Sequence, residues 1–428
     1  MKKTIFLLFI FVWTVSLYSK DSDTDKGFKL TDSTKLHTTA EVEMEYSSNI
    51  TKASEDTVVN GKNIEATDDI IMHYKPGLRL KIDDSFKTLG MSILFDYNHY
   101  LGVTDDSTSS KYSTLNLSSE ILGEWNKDAK AVVVVKNYLD RRSHPNSQVL
   151  QGIHSNLHER FKADFIFRNS QDTLLFKLTP AFDLNYYESR SLRGHNYMNI
   201  KGGFFGRWKF LPKTMFFINS SIVYRNFFES DFSKLENSYP VTVFGGFAGQ
   251  ITPRISAKIS GGYTATMTND NNHDFVMAAE LVYKYSRNLL AKVGYVRSYF
   301  PTTHFQYYRK DKPYIGTDLR FFGKLLVSMK ASYSYLNFGK DIRDDANVHF
   351  DPDNTPDTRT DHLLSISPSI QYNILEWLGT EVFYDFNLRK SDYSQEYEIE
   401  GDEGTTYNEK RYFNYVEHRI LLNISLDY

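Results

Sequence analysis

The sequence predicts an all-β protein: a single transmembrane antiparallel up-and-down β-barrel of about 18 strands, with short periplasmic turns and longer extracellular loops. Three observations predict it. Apolar and polar residues alternate with period two along nearly the whole chain, and helical periodicity is nearly absent. The connections between these segments alternate in length, short then long. An export signal opens the chain.

Composition narrows the class. The 428 residues are 41% hydrophobic, 24% charged and 15% aromatic, with 30 Tyr, 31 Phe and no Cys. A mean hydropathy of −0.46 excludes a bundle of membrane helices, which needs repeated apolar runs of about 20 residues. The net charge of −3 offers no basic excess for nucleic acid. Without Cys there is no disulfide, thiolate metal ligand, cysteine nucleophile or lipid-modified cysteine anchor.

The elements follow in chain order. Residues 1–19 read as a signal peptide: Lys2 and Lys3 carry the charge, Ile5 to Val12 form the apolar core, and Ser16 and Ser19 suit cleavage. Residues 20–35 read as a short periplasmic tail, and 36–428 as the barrel. Strand-like segments begin near 38, 70, 88, 113, 130, 156, 174, 197, 215, 241, 256, 275, 289, 308, 325, 362, 378 and 413. In the third, Leu89, Met91, Ile93, Phe95 and Tyr97 alternate with Gly90, Ser92, Leu94, Asp96 and Asn98. In the seventh, Phe176, Leu178, Pro180, Phe182 and Leu184 alternate with Lys177, Thr179, Ala181, Asp183 and Asn185.

Tight turns fall at Asp83-Asp84-Ser85, Asn126-Lys127-Asp128, Leu211-Pro212-Lys213, Thr252-Pro253-Arg254, Ser286-Arg287-Asn288 and Phe322-Gly323-Lys324. The longest loops lie around 48–68, 339–360 and 392–411. Within lipid every backbone N–H and C=O needs an internal partner, so a spanning sheet must close on itself. Tyr46, Tyr97, Trp125, Trp208, Phe210, Tyr224, Tyr283, Tyr285, Tyr333 and Tyr335 cluster at the ends of the apolar faces, where amphipathic rings suit the headgroup boundary.

The last segment places Ile420, Leu422, Ile424, Leu426 and the terminal Tyr428 at alternate positions. Ile424, Leu426 and Tyr428 resemble the C-terminal insertion signal of bacterial outer-membrane barrels. That resemblance implies three partners: outer-membrane lipid, lipopolysaccharide and the barrel-assembly machinery. A second resemblance lies near the start. Glu43 to Ile50, Asp68-Asp69-Ile70-Ile71, Pro76-Gly77-Leu78-Arg79-Leu80 and Phe95 to Tyr100 look, in that order, like the putative β-barrel porin 2 group. Some relatives in that group sit in exopolysaccharide export systems.

The two faces differ in chemistry. In the first segment Ala40, Val42, Met44 and Tyr46 face lipid, and Glu41, Glu43 and Glu45 face inward. In the second, Leu78, Leu80 and Ile82 face lipid, and Lys75, Arg79, Lys81 and Asp83 face inward. Antiparallel neighbours are expected to set this acidic row beside this basic row, each cross-strand pair contributing roughly 0.2–1 kcal/mol. Further inward cations are Arg160, Lys162, Arg168, Lys177, Lys258, Lys284, Lys292, Lys310, Lys312, Arg320 and Lys330. Inward acids include Glu120, Glu124, Asp164, Asp183, Glu280, Asp318, Glu381, Asp385 and Glu417. The slight inward basic excess predicts a modest anion preference. A charged interior implies water, and a barrel of this size is wide enough for an aqueous channel. The loop Gly339 to Asp361 is the best candidate to fold in and constrict it.

Catalytic motifs are absent. There is no G-x-S-x-G, H-E-x-x-H or Walker-type loop. His158-Glu159 lacks a second His, and the outward His418 and Ser220 sit on distant strands. Gly202-Gly203-Phe204-Phe205-Gly206 precedes no helix, so it reads as a bend rather than an anion cradle. The acidic loop Asp344 to Asn354 lacks the Gly and closing Glu of a calcium loop and reads as solvated. The expected protein is not an enzyme, with no cofactor, no metal and no nucleic-acid partner. It passes small hydrophilic solutes, or alternatively a secreted polysaccharide; a third reading is a surface adhesin acting through its loops.

Overall fold

A computed structural model describes residues 27–50, 52, 58–59, 62–63, 67–102, 113–145, 153–188, 196–228, 237–267, 272–301, 307–339, 349–350, 359–400 and 406–427. The expected signal peptide, the acidic loop Asp344 to Asn354 (apart from 349–350) and Tyr428 lie outside the described residues.

Eighteen strands form the wall. They are β1 (Thr34–Ser47), β2 (Asp69–Asp83), β3 (Lys87–Tyr100), β4 (Thr114–Trp125), β5 (Ala131–Pro145) and β6 (Ile153–Arg168). Next come β7 (Leu174–Tyr187), β8 (Tyr197–Leu211), β9 (Thr214–Phe227), β10 (Tyr239–Thr252), β11 (Ile255–Met267) and β12 (Asn272–Lys284). The ring finishes with β13 (Leu289–Pro301), β14 (Tyr307–Phe321), β15 (Leu325–Phe338), β16 (Thr360–Leu375), β17 (Leu378–Ser391) and β18 (Tyr415–Asp427). Each pairs antiparallel with the next, and β18 returns to β1, with Val42 opposite Ile424 and Met44 opposite Leu422. No sheet edge is left, as lipid requires.

The expected strand starts hold to within a few residues. The main difference is at the beginning. Part of the expected tail, Phe28–Thr31, is a short strand that turns back onto the start of β1, with Phe28 opposite Leu36.

The outward faces are apolar and open. Leu78, Phe95, Ile200, Ile259, Ile315, Ile370 and Ile424 are all exposed. A water-soluble monomer rarely exposes contiguous apolar surface on this scale. Lipid makes it the required exterior.

The short connections are closed by local chemistry. Asp84 accepts from the backbone N–H groups of Phe86 and Lys87, both at 2.8 Å. Asn126 and Phe322 take the left-handed conformation, with φ of 58° and 52°. Asp172 in the β6–β7 turn meets Arg207 at 2.6 Å and Lys209 at 2.5 Å. The hydrogen bond from Lys209, beside the charge of Arg207, holds the Asp172 carboxyl below the ordinary carboxylate range. A lowered folded value means that the pairing is complete above the ordinary pKa of about 4 and is lost as pH falls through the lowered value. We expect Asp172→Asn to remove that acid sensitivity from the turn's amide shifts and, at so exposed a site, to cost under about 1 kcal/mol. An unchanged acid titration of those amides would contradict the assignment.

The long loops hold a finding of their own. Val58–Val59, Lys62–Asn63, His349–Phe350, Ser394–Glu400 and Thr406–Tyr412 form a separate five-stranded sheet. Lys410 pairs with Val58, and His349 with Glu398. The three longest loops of the sequence thus fold together. Beneath them Leu336, Phe338, Tyr393 and Phe413 form a buried cluster, with Tyr308 and Leu363 packed against it.

Candidate functional site

Alternate residues of a strand share a face. The face opposite the exposed apolar residues carries the charged side chains predicted from the sequence. Glu41, Glu43 and Glu45 alternate with the outward Val42 and Met44. Lys75, Arg79 and Lys81 alternate with Leu78. Arg160 and Lys162 flank Phe161, and Lys177 lies between Phe176 and Leu178. Lys310, Lys312 and Arg320 take the parity opposite Ile315, and Lys330 follows Met329.

The β1–β2 register corrects one expectation. Glu41 stands opposite Lys75, but Glu43 stands opposite His73 and Glu45 opposite Ile71. Arg79 and Lys81 stand opposite His37 and Lys35. The acidic and basic rows therefore lie end to end along the barrel, with only Lys75 beside the acids. The reason is the antiparallel register, which the outward apolar residues fix and which a charge count ignores.

Around the seam where the ring closes, acids predominate and share partners. Lys75 Nζ meets Glu43 at 2.5 Å, and Asn423 donates to both Glu43 and Glu41. His73 faces Glu45 at 3.5 Å and Asp96 at 3.6 Å, and its Nδ1 lies 2.8 Å from the Asn98 amide oxygen. Arg419 stands 3.6 Å from Asp385 and 4.0 Å from Glu45. Asn387 donates to Asp385 and Glu417 at 2.7 and 3.4 Å. A recess of about 490 Å³ opens here, lined by Glu41, Glu45, His73, Lys75, Asp96, Asp140, Glu417 and Arg419 among others.

In the next arc, β6 to β9, pairs of cationic side chains share single acids. His158 and Arg160 meet Asp183 at 2.9 and 3.3 Å. Lys162 and Lys177 meet Asp164 at 2.9 and 3.9 Å. Arg225 donates to Asn199 at 3.0 Å and lies over the Tyr197 ring.

From β11 to β15 the balance changes. Lys258, Lys284, Lys292, Lys310, Lys312, Arg320 and Lys330 make no ion pair among the described residues. Glu280 accepts from the Tyr314 hydroxyl at 2.6 Å, and Asp318 from Ser328 at 2.8 Å, so the nearby acids are engaged by neutral donors. The inner wall thus has an acid-rich arc at the seam and a cationic arc on β11 to β15. Charge of this density facing inward requires water. The chain is a closed eighteen-stranded barrel with an apolar outer face and a charged inner one.

The predicted residues therefore separate into groups. Glu43, Lys75, Arg160, Lys162 and Lys177 are ion-paired, and Lys81 lies 3.8 Å from Asp83 at the periplasmic end. Lys310, Lys312, Arg320 and Lys330 carry unpaired charge. Ile424 is 47% exposed on the outer face, and Leu426 stands opposite Ala40 and Leu378 on the closing strand. His73, Asp96, Asp140, Arg142 and Arg419 belong to the seam recess and were not among the predicted site residues. Their inward parity was visible; their convergence from four strands was not. His418 Nδ1 lies 2.8 Å from the Tyr384 hydroxyl, and the His418 backbone N–H donates to Ser48 Oγ at 2.8 Å. Among the described residues no group of three or more His, Asp or Glu could hold a metal ion.

No family model matches the chain, and no curated protein matches it. Among solved structures it is similar to the FrpB iron transporter from Neisseria meningitidis, at 8% identity and a TM-score of 0.49, over 92% of this chain and 81% of that one. It is similar to OpdQ of Pseudomonas aeruginosa at 11% identity and a TM-score of 0.45, over 92% and 98%. A third is the siderophore receptor PirA from Acinetobacter baumannii, at 8% identity and 0.49, over 94% and 81%. Likeness at this level says nothing of what the barrel carries.

Proposed function

We propose that the barrel is a water-filled channel for passive diffusion of small hydrophilic solutes, and that it is not an enzyme. The observation that carries this is the inner face, charged at the seam, on β6 to β8 and on β11 to β15 of a closed ring of eighteen strands. Barrels of about 16–18 strands leave an aqueous passage. The unpaired cations of β11 to β15 give the passage a modest anion preference. Side chains on the predicted strands, Glu41 to Glu45 on β1 and Lys310 to Lys330 on β14 and β15, line the path.

The test is conductance of the refolded protein in a planar bilayer under a salt gradient. Stable current steps with a reversal potential of anion-selective sign are expected. Silence from protein shown to be folded by heat-modifiable gel mobility would reject an open channel. Clear cation selectivity would show that the seam acids, rather than the lysines, control the passage.

A further inference from the structure

One stretch of the inner wall carries few charges. Along β9 to β12 several inner positions are small or apolar, Met215 opposite Ala248, Gly246 opposite Ser260, and Ser256 opposite Val282, with the pair Lys258 and Glu280 among them. Above them Phe217 is 4% exposed and packs with Phe205 and Phe244, at centroid distances of 6.4 and 6.5 Å. Below this aromatic patch, toward the periplasmic turns, the wall opens into a recess of about 410 Å³. Met215, Ala248 and Val282 line it, and Lys209, Lys213 and Lys258 stand around it.

The charges of this recess are unequal. Lys209 is committed to Asp172 at 2.5 Å. Lys258 stands directly opposite Glu280, the one acid of the recess, yet the two form no ion pair. Tyr314 donates to Glu280 instead, and the Lys258 ammonium lies 5.4 Å from the centre of the Phe217 ring. The wall therefore presents an ammonium that makes no ion pair among the described residues, beside apolar side chains. A cavity of a few hundred cubic ångströms with apolar side chains and a few placed charges is the ordinary form of a small-molecule site.

We infer that this recess binds an organic anion with an apolar body, of the class of an aromatic monocarboxylate, its carboxylate on Lys258 and its ring on Met215, Ala248 and Val282. An inorganic anion would gain the charge but not the floor. A neutral aromatic would gain the floor but leave the ammonium without a counter-charge. The recess lies in the proposed passage, so the inference deepens the channel reading.

Two measurements separate the inference from that reading. In the first, benzoate, acetate and benzamide are compared as blockers of single-channel current. Benzoate is expected to produce resolved blockades, and acetate and benzamide none. Lys258→Gln is expected to weaken the benzoate effect about tenfold, the scale of a lost charge-assisted hydrogen bond. Ala248→Leu, which fills the floor and keeps the charge, is expected to do the same. Equal effects of acetate and benzoate, or a current indifferent to benzoate, would overturn the inference and leave the channel standing. The second measurement needs no conduction: ¹⁹F line broadening of 4-fluorobenzoate by the folded protein in micelles. Broadening lost in both variants supports the site even if the bilayer stays silent. Broadening that is the same in wild type and variants would overturn it.

Discussion

Asp361→Ala is expected to release the extracellular sheet from the wall while the barrel stays closed. Asp361 is fully buried at the top of β16. Arg359 approaches it with two hydrogen bonds of 2.9 Å, and Arg389 donates to the same carboxylate, with Nε at 2.9 Å. The Arg359 guanidinium also lies 3.9 Å from the centre of the Phe413 ring, 4.9 Å from Phe338 and 5.7 Å from Tyr393. Its side chain is only 7% exposed. Removing the carboxylate takes from two guanidinium groups the buried acid that they share, a change that costs up to about 3–5 kcal/mol. The aromatic faces retain some of the attraction, roughly 0.5–2 kcal/mol for a cation–π contact, and do not replace an anion. Trypsin should then cut after Lys410 or Arg411, whose backbones pair with Glu396 and Gln395. The barrel should still show heat-modifiable mobility, because its ladder is untouched. Asp361→Asn, which keeps an acceptor but not the charge, should lie between. Digestion of Asp361→Ala at the wild-type rate would mean that the sheet does not depend on this ion cluster.

That cluster also shows where sequence reading stops. The wall was legible because its signal is local: Leu89 to Asn98 alternates within ten residues, and Pro212-Lys213 and Pro253-Arg254 sit between strands where the backbone must reverse. Strand number follows from counting such segments. The extracellular sheet is different. Lys410 meets Val58 across most of the chain, and nothing in the periodicity of either loop says which partner it takes. Arg359 belongs to the long stretch 339–360, and only the fold brings Phe338, Tyr393 and Phe413 around it. The candidate site fell between these cases. Parity put Glu41, Lys75, Lys310 and Lys330 on the face opposite the apolar residues. It could not show that Glu43 neutralises Lys75 while Lys310 and Lys330 stay unpaired, because that depends on register and on which acids neutral donors such as Tyr314 and Ser328 already hold.

The crease between β10 and β11 carries the other large effect. Gly246 and Gly262 both lie on the inner face, where the two strands approach most closely. A Cβ built on Gly262 would overlap the carbonyl oxygen of Val243 and the Phe244 backbone, and one on Gly246 would overlap the carbonyl oxygen of Ile259 and the Ser260 backbone. Those obstacles are main chain in a continuous ladder, with Phe244 opposite Gly262 and Gly246 opposite Ser260. They cannot swing aside as a side chain would. Gly262→Ala must therefore separate hydrogen-bonded strands or flatten the wall, and the double replacement must do so at both levels. Each is expected to cost at least the 1–3 kcal/mol typical of overpacking. The readout is the folded fraction on a heat-modifiable gel after refolding into lipid along a urea series. Gly202→Ala is the control: its Cβ would meet only the Ile222 side chain, at 3.6 Å, an ordinary contact. That variant should stay within about 0.5 kcal/mol of wild type. If Gly262→Ala refolds as well as Gly202→Ala, the close approach is not required for closure. If it fails as expected, the ring closes only with the two backbones this near each other, because neither Val243 nor Ile259 can move its carbonyl without breaking the ladder that seals the wall.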